Sequence, residues 1–493
     1  MAKTLARRLI APFVVSCGFL LTSDPRAQTS VAAPPSQTIQ AGAEELIAEK
    51  PPACPALDDE DVASRDGRKV AWRCRDNDRW TVFVNGVPQG GGFEEAHWLI
   101  FSPDGQHVAF AARRDKRWTI VEDGKERPTT YEEVGPPVYS DDGKHIVHAA
   151  KVTKKWMLVM DGEPRGGEFD DILSQSLSPD GQHVAYVGRR RNKFVVVLDG
   201  KEGTPFDIVG GIGFSSDSRR FAYAGADVNR GFGKQKAVGH ATIDGTAGPT
   251  FEGAQIGSLL KNFATSSTPY LLVGYLPQLL SDTHGVTAPV FSPDGRRVAY
   301  AVRRDKDMST VIVDGEPGPV LPSIVAGPVF SPDSQHVAVV ISEGDAKILV
   351  VDGVKTAGSA ASGTDFIVGL AFAANNRRGA YIGIDGGNMY EQGYTRRARR
   401  RVYVDGTPGP EYNALYLGQL QFTPDGAHVT YVVGLAEKPT RVAFVVVDRL
   451  EGKRYDDIFS PVRVDEGARA IIYTAQAGRR LFRVTQPLEQ TAP

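Results

Sequence analysis

The residue types that most often do chemistry are present in this chain, but not at the spacings that chemistry needs. A serine nucleophile calls for Gly-x-Ser-x-Gly, a helical zinc site for His-Glu-x-x-His, a phosphate cradle for Gly-x-x-x-x-Gly-Lys and a redox pair for Cys-x-x-Cys. None of these occurs. Of the nine histidines, His107, His145, His183, His336 and His428 share one position of a recurring motif, where other copies carry Lys69, Arg220, Arg297 or Arg378. Equivalent positions on successive repeats lie too far apart to share an ion at the ~2.0–2.1 Å that zinc requires. These histidines therefore read as strand-surface residues, and neither a metal nor a cofactor is expected. Asp58-Asp59-Glu60-Asp61 offers oxygen ligands for calcium, but an acidic lead-in held in solvent is the simpler reading.

Residues suited to holding a partner stand out better. Trp80, Trp118, Trp156 and Phe194 recur every 38 residues, each preceded by a cation: Arg79, Arg117, Lys155 and Lys193. Such a column either stacks with its basic neighbours at a surface or fills the wedge between repeats. Basic runs accompany it: Arg113, Arg114, Lys116 and Arg117; Lys154 and Lys155; Arg189, Arg190 and Arg191; Arg396, Arg397, Arg399, Arg400 and Arg401. With Trp118 and Trp156 these are the candidate partner-binding residues, and no catalytic residue is assigned.

What must position them is a repeat. Phe101-Ser102-Pro103-Asp104-Gly105 returns at Tyr139, Leu177, Phe214, Phe291, Phe330 and Phe422, with weaker copies at Ser64 and Phe372 and a degraded one ending in Gly467. Most successive copies are about 38 residues apart, the period of a solenoid or propeller unit. Each period also carries a β-branched run closing on Asp-Gly, as in Ile120-Val121-Glu122-Asp123-Gly124 and Val311-Ile312-Val313-Asp314-Gly315. Asp-Gly turns a tight hairpin because Gly takes positive φ without steric cost. Each period thus reads as four short strands, a to d, and tandem four-stranded units bury their faces on one another when the row closes into a ring. The expected fold is all-β: a β-propeller of nine or ten four-stranded repeats over 61–484, in one large ring or two smaller ones. An insertion is expected about 258–290, where the copies at Ser215 and Ser292 stand two periods apart, and 485–493 reads as a tail.

In such a ring the a–b and c–d turns share one face, and the b–c loops share the other with the connections between blades. Nine b–c loops carry a net charge of +17, whereas the whole chain is −2. A basic b–c face would steer and orient an anionic partner.

The Phe-Ser-Pro-Asp-Gly-x-x-Val-Ala-Tyr copies resemble the WD40-like, TolB-type β-propeller repeat, over roughly 61–484. The resemblance implies either a protein-binding platform of bacterial envelopes or the substrate-gating half of a serine peptidase. The chain is expected to depart from both, with signal and tether ahead of the repeats and a short tail after them. The functional expectation is an exported, non-catalytic binding or scaffold module of the cell envelope. The alternative is a hydrolase or lyase with its site in the central channel, which needs carboxylates or a carboxylate and His converging there.

The N-terminus bears on the compartment. Lys3, Arg7 and Arg8 precede an apolar run over 9–21, the layout of a secretory signal peptide, expected over 1–27. Cys17 follows a lipobox-like stretch, so the mature protein is expected in the periplasm or anchored there by a lipidated Cys17. Residues 28–60 read as a flexible tether rich in Pro, Ala and Ser, with one short helical possibility at 43–49. In an oxidising compartment Cys54 and Cys74 either form a disulfide pinning tether to body or remain free thiols. The near balance of 57 Lys+Arg and 59 Asp+Glu argues against a nucleic-acid partner. An envelope protein or an anionic glycan is expected, with membrane contact only through the lipid anchor.

Overall fold

Each repeat folds as its two turns dictate. In the second repeat, strands Glu95–Phe101, Val108–Arg114, Arg117–Glu122 and Lys125–Glu126 form one antiparallel sheet in the order a-b-c-d. The a–b turn is closed by Ser102, whose Oγ accepts the His107 amide at 2.9 Å and donates to Asp104. The c–d turn places Asp123 and Gly124 at φ +47° and +77°, the pair of positive angles a two-residue hairpin requires. Asp123 then joins the turns: Oδ1 accepts the Val108 amide at 3.0 Å, and Oδ2 lies 2.6 Å from His107 Nδ1.

The same clasp recurs as His145–Asp161 and His183–Asp199, each at 2.7 Å, as His336–Asp352 at 2.6 Å and as His428–Asp448. Where the repeat carries arginine it recurs as Arg220–Asp244, Arg297–Asp314 and Arg378–Asp405, at 2.9–3.0 Å. This explains why His and Arg exchange at one position: both donate to the turn aspartate. In the a–b turns the serine hydroxyl makes its carboxylate more acidic: Ser102 lowers Asp104, and Ser140 holds Asp142 down at about 2.

The structure, a computed structural model, describes residues 42–488 other than 57, 59, 230–235, 256–286, 306–307, 357–360, 363–365, 374–377, 386–398, 437–440 and 466–468. It contains ten sheets of this kind. Blades 1 to 9 occupy 62–93, 95–126, 133–169, 171–206, 208–255, 290–322, 324–362, 366–408 and 414–451. Blade 10 combines 457–487 with an N-terminal strand, Ala43–Glu49, which pairs antiparallel with Arg480–Pro487 as the outermost strand.

The choice between one ring and two is settled by the apolar clusters, each of which bridges two consecutive blades. Val147, Leu158 and Phe169 of blade 3 pack on Ile172, Tyr186 and Val197 of blade 4. Other clusters join each remaining pair in sequence, and the last sets Phe459 and Leu481 of blade 10 against Val70 and Trp72 of blade 1. Ten junctions for ten blades make one closed ring.

Two expectations about the lead-in change. Ala43–Glu49, read as part of a flexible tether with a helical possibility, is a strand, because the open edge of blade 10 supplies the hydrogen-bond ladder it needs. The acidic stretch is not held in solvent: Asp61 is 4% exposed, and Asp58 and Glu60 pair with blades 1 and 2. Cys54 and Cys74 are joined in a disulfide with Cα atoms 4.8 Å apart, tying the lead-in to strand b of blade 1. The signal segment, Cys17 and nearly all of the expected insertion lie outside the described residues.

Candidate functional site

The b–c face is built from two sets of residues that alternate around the ring. Strand b ends and strand c begins with cations, and strand d ends in an aromatic residue followed by acids. The copies are Phe93-Glu94-Glu95, Tyr131-Glu132-Glu133, Phe169-Asp170-Asp171 and Tyr455-Asp456-Asp457. The aromatic pairs with the Trp column across strands c and d, as in Trp80 with Phe93, Trp118 with Tyr131 and Trp156 with Phe169.

The column is therefore wedge packing. Trp118 and Trp156 are 4% and 9% exposed, inside inter-blade clusters, because a large ring beside its partner aromatic excludes more water there than at a surface. Buried in this way, Trp118 and Trp156 present little surface to a partner. Their cation–π neighbours come from strand b, Arg113 at 5.8 Å and Lys151 at 5.7 Å, not from the preceding residues.

The acids following the aromatic answer the basic loops. Glu94, Glu132, Asp170 and Asp456 accept backbone N–H groups of the b–c turns, from Lys116, Thr153, Arg191 and Gly478. The next acid takes the strand b cation: Glu95 with Arg113 at 2.6 Å, Glu133 with Lys151 at 3.0 Å and Asp171 with Arg189 at 3.4 Å. The remaining sequence candidates are distributed likewise. Arg114 pairs with Glu126, Lys155 with Asp170, and Arg190 in a two-pronged contact with Glu202. Arg117 donates to the Thr130 carbonyl, Arg399 and Arg401 face Glu411, and Arg400 is buried.

Arg396 and Arg397 lie outside the described residues. Topology places Arg399–Arg401 and Arg189–Arg191 on the same face, since both sets border b–c loops. The +17 counted on the loops alone is thus largely answered by acids on the same face. Lys116, Lys154 and Arg191, at the exposed turn tips of blades 2, 3 and 4, are different: among the described residues their side chains make no ion pair or hydrogen bond.

One cluster on this face was not legible as a site. Arg73 Nη2 lies 3.0 Å from Asp58 Oδ1, and Glu60 Oε1 lies 3.1 Å from His97 Nδ1, whose Nε2 is 3.4 Å from Glu95. Glu60 Oε2 also accepts the Trp98 amide at 2.6 Å. His97 and Trp98 sit on strand a of blade 2, the innermost of its blade. The rings of Trp98 and Trp118 stack with centroids 6.3 Å apart at 30°, and His97 lies 6.0 Å from Trp98. Trp98 has φ +57° at a bulge in its strand. The left-handed region is disfavoured for a bulky side chain and costs on the order of 1–3 kcal/mol at such sites.

Burial opposes the charged form of His97, and the Arg73 guanidinium adds to that. Hydrogen bonds to Glu60 and Glu95 outweigh both and raise it above the ordinary imidazole value. Asp61 moves the same way, pushed up to about 7 by burial against the pull of Lys50. A group whose folded value is raised contributes stability at low pH and loses it as pH rises through that value. The lead-in is therefore expected to be held more firmly at pH 6 than at pH 8.5. Melting temperatures across this range should fall for the wild type and fall less steeply for His97→Asn, in which Asp61 still titrates; an equal slope in both proteins would contradict the assignment.

Neither a protein-family model nor a curated protein matches this sequence. Ten four-stranded blades in a closed ring make the chain a β-propeller, and solved propellers are its structural likenesses. Dipeptidyl peptidase 4 of Porphyromonas gingivalis aligns at 12% identity and TM-score 0.37, over 76% of this chain and 64% of that one. The β-propeller domain of the Trilobed protease from Pyrococcus furiosus aligns at 12% and 0.31, over 72% and 95%. TolB from Acinetobacter baumannii aligns at 15% and 0.23, over 60% and 77%. This chain spans less than two thirds of the length of that dipeptidyl peptidase.

Proposed function

We propose that this protein is an exported, non-catalytic propeller of the WD40-like, TolB-type repeat family, which binds an anionic partner on its b–c face. The partner is an anionic glycan or an acidic envelope protein, and the docking sector is blades 2 to 4. The observation that carries this reading is the row of free cations at Lys116, Lys154 and Arg191, on a face whose other charges are mostly committed to one another. Uncompensated charges at consecutive turn tips cost the fold little and steer a ligand of opposite sign. The Cys54–Cys74 disulfide supports an oxidising compartment, as the N-terminal signal pattern does.

A hydrolase or lyase would draw on His97 between Glu60 and Glu95. Binding is favoured because Glu95 is held by Arg113, and Glu60 by the Trp98 amide and His97.

The triple variant K116E/K154E/R191E is expected to lose at least tenfold in affinity for the partner recovered from detergent-solubilised envelopes. Wild-type binding should weaken as salt rises. Stability should stay within about 0.5 kcal/mol of wild type, since these exposed side chains make no ion pair or hydrogen bond among the described residues. Unchanged affinity in the triple variant would exclude this face as the docking surface.

A further inference from the structure

We infer that Trp98, with Glu60, Glu95, His97 and Arg113, forms a subsite for a single sugar ring at the inner edge of the b–c face. The inference rests on the binding role above and narrows its ligand to a saccharide chain.

Trp98 stands four residues before the turn serine of its blade, a position that is left-handed in some blades and not in others, where Pro136, Ser174, Gly211 and Ala288 stand without positive φ. In blades 7 and 8 it is Gly327 and Gly369, at φ +92° and +97°; in blade 9 it is Gln419 at φ +53°. Where the strand takes this left-handed bulge, glycine adopts it without strain. A tryptophan adopts it badly, so its presence calls for a use of the ring. The residue is half-buried: its ring stacks on Trp118 and packs against the apolar cluster between blades 2 and 3, and the residue keeps part of its surface in solvent.

The groups beside it suit a polyhydroxylated ligand better than any ion. Glu60, Glu95, His97 and Arg113 keep side-chain exposures of 17, 28, 33 and 30%. They alternate acceptors with donors, and the carboxylates are already paired, Glu95 with Arg113 and Glu60 with His97 and Arg73, so the polar rim offers hydrogen bonds more than a bare charge. A pyranose offers a C–H face to an indole and a rim of hydroxyls that both donate and accept. Such a site is a small apolar platform with a few placed polar groups. The free cations of blades 2 to 4 border the same face, where acidic substituents of neighbouring sugar units would meet them.

The test uses the full chain and a panel of hexasaccharides of hexose, N-acetylhexosamine and uronic acid, the last also in carboxyl-reduced, neutral form. Titration followed by tryptophan fluorescence and calorimetry should find at least one binder. Trp98→Gly keeps the backbone angle accessible, so it should fold and melt at or above the wild-type temperature, yet bind that sugar at least tenfold more weakly. It should weaken the uronate and its neutral counterpart alike, whereas K116E/K154E/R191E should weaken the uronate alone. Undiminished sugar binding by Trp98→Gly, with the triple variant impaired, overturns the subsite and leaves the basic sector standing. No binding of any panel member by the wild type overturns the subsite as well, while envelope recovery still tests the sector independently.

Discussion

Lys50→Ala is expected to destabilise the ring by about 3–5 kcal/mol, the cost of leaving one member of a buried ion pair without its partner. Lys50 is 1% exposed, and its ammonium contacts Asp61 and donates to the Ala56 carbonyl at 3.1 Å. Asp61 has little else: Oδ2 accepts the Asp58 amide at 3.3 Å, and Oδ1 is buried without a hydrogen-bond partner. The location amplifies the loss, because this pair stands where blade 10 meets blade 1 and the N-terminal strand completes the last sheet.

Chemical denaturation should show the effect growing with pH. In the wild type Asp61 is largely protonated at pH 6 and ionised beside Lys50 at pH 8.5; without Lys50, which pulls it down, its carboxyl rises further, so the variant must either keep it neutral or bury an unpaired charge, at a cost that grows with pH. The double variant Lys50→Met with Asp61→Leu should recover most of the loss, since an apolar pair of similar volume carries no desolvation penalty. A Lys50→Ala protein within 1 kcal/mol of wild type at pH 8.5 would mean that the pair does not hold the seam.

The repeats were legible because their determinants are local. Ser102, Asp104 and Gly105 close a turn within four residues, and Asp123-Gly124 closes the next, so each announces itself in sequence wherever it recurs. The strand at Ala43–Glu49 was not, since the residues that make it a strand, Arg480 to Thr485, lie more than 400 positions away. Read alone, that stretch has no alternation to distinguish strand from tether.

The pairing of the b–c face charges is hard to read in sequence for a different reason. The basic runs are contiguous and conspicuous, whereas Glu94-Glu95, Glu132-Glu133 and Asp170-Asp171 sit where one blade passes into strand a of the next, outside the b–c loops in sequence. A signal was available: an aromatic residue followed by two acids, repeated at 93, 131 and 169 in step with the tryptophans. The cluster at Trp98 had no such signal. Its carboxylate Glu60 comes from the lead-in, 38 residues earlier in sequence, and a positive φ at tryptophan leaves no mark in a sequence.

The C54S/C74S protein is expected to lose about 3 kcal/mol, the chain-entropy value for a closed loop of roughly this length. The two cysteines are 20 residues apart, and Cys54 is 2% exposed in the cluster that joins blade 10 to blade 1. Reductant should lower the wild-type denaturation midpoint toward that of the variant and leave the variant unchanged. A variant as stable as wild type, each in its oxidised form, would show that the bond only decorates contacts already sufficient. The enclosed loop contains Asp58, Glu60 and Asp61, and so every side chain the lead-in sends to Arg73, His97 and Lys50. Without the crosslink those contacts are held mainly by charge. The Asp58–Arg73 and Glu60–His97 pairs are the more exposed and should then fail first as salt rises. The disulfide and the buried pair secure the same segment, so combining C54S/C74S with Lys50→Ala should cost a different amount from the two separate losses added together. Simple additivity would place them in independent parts of the ring.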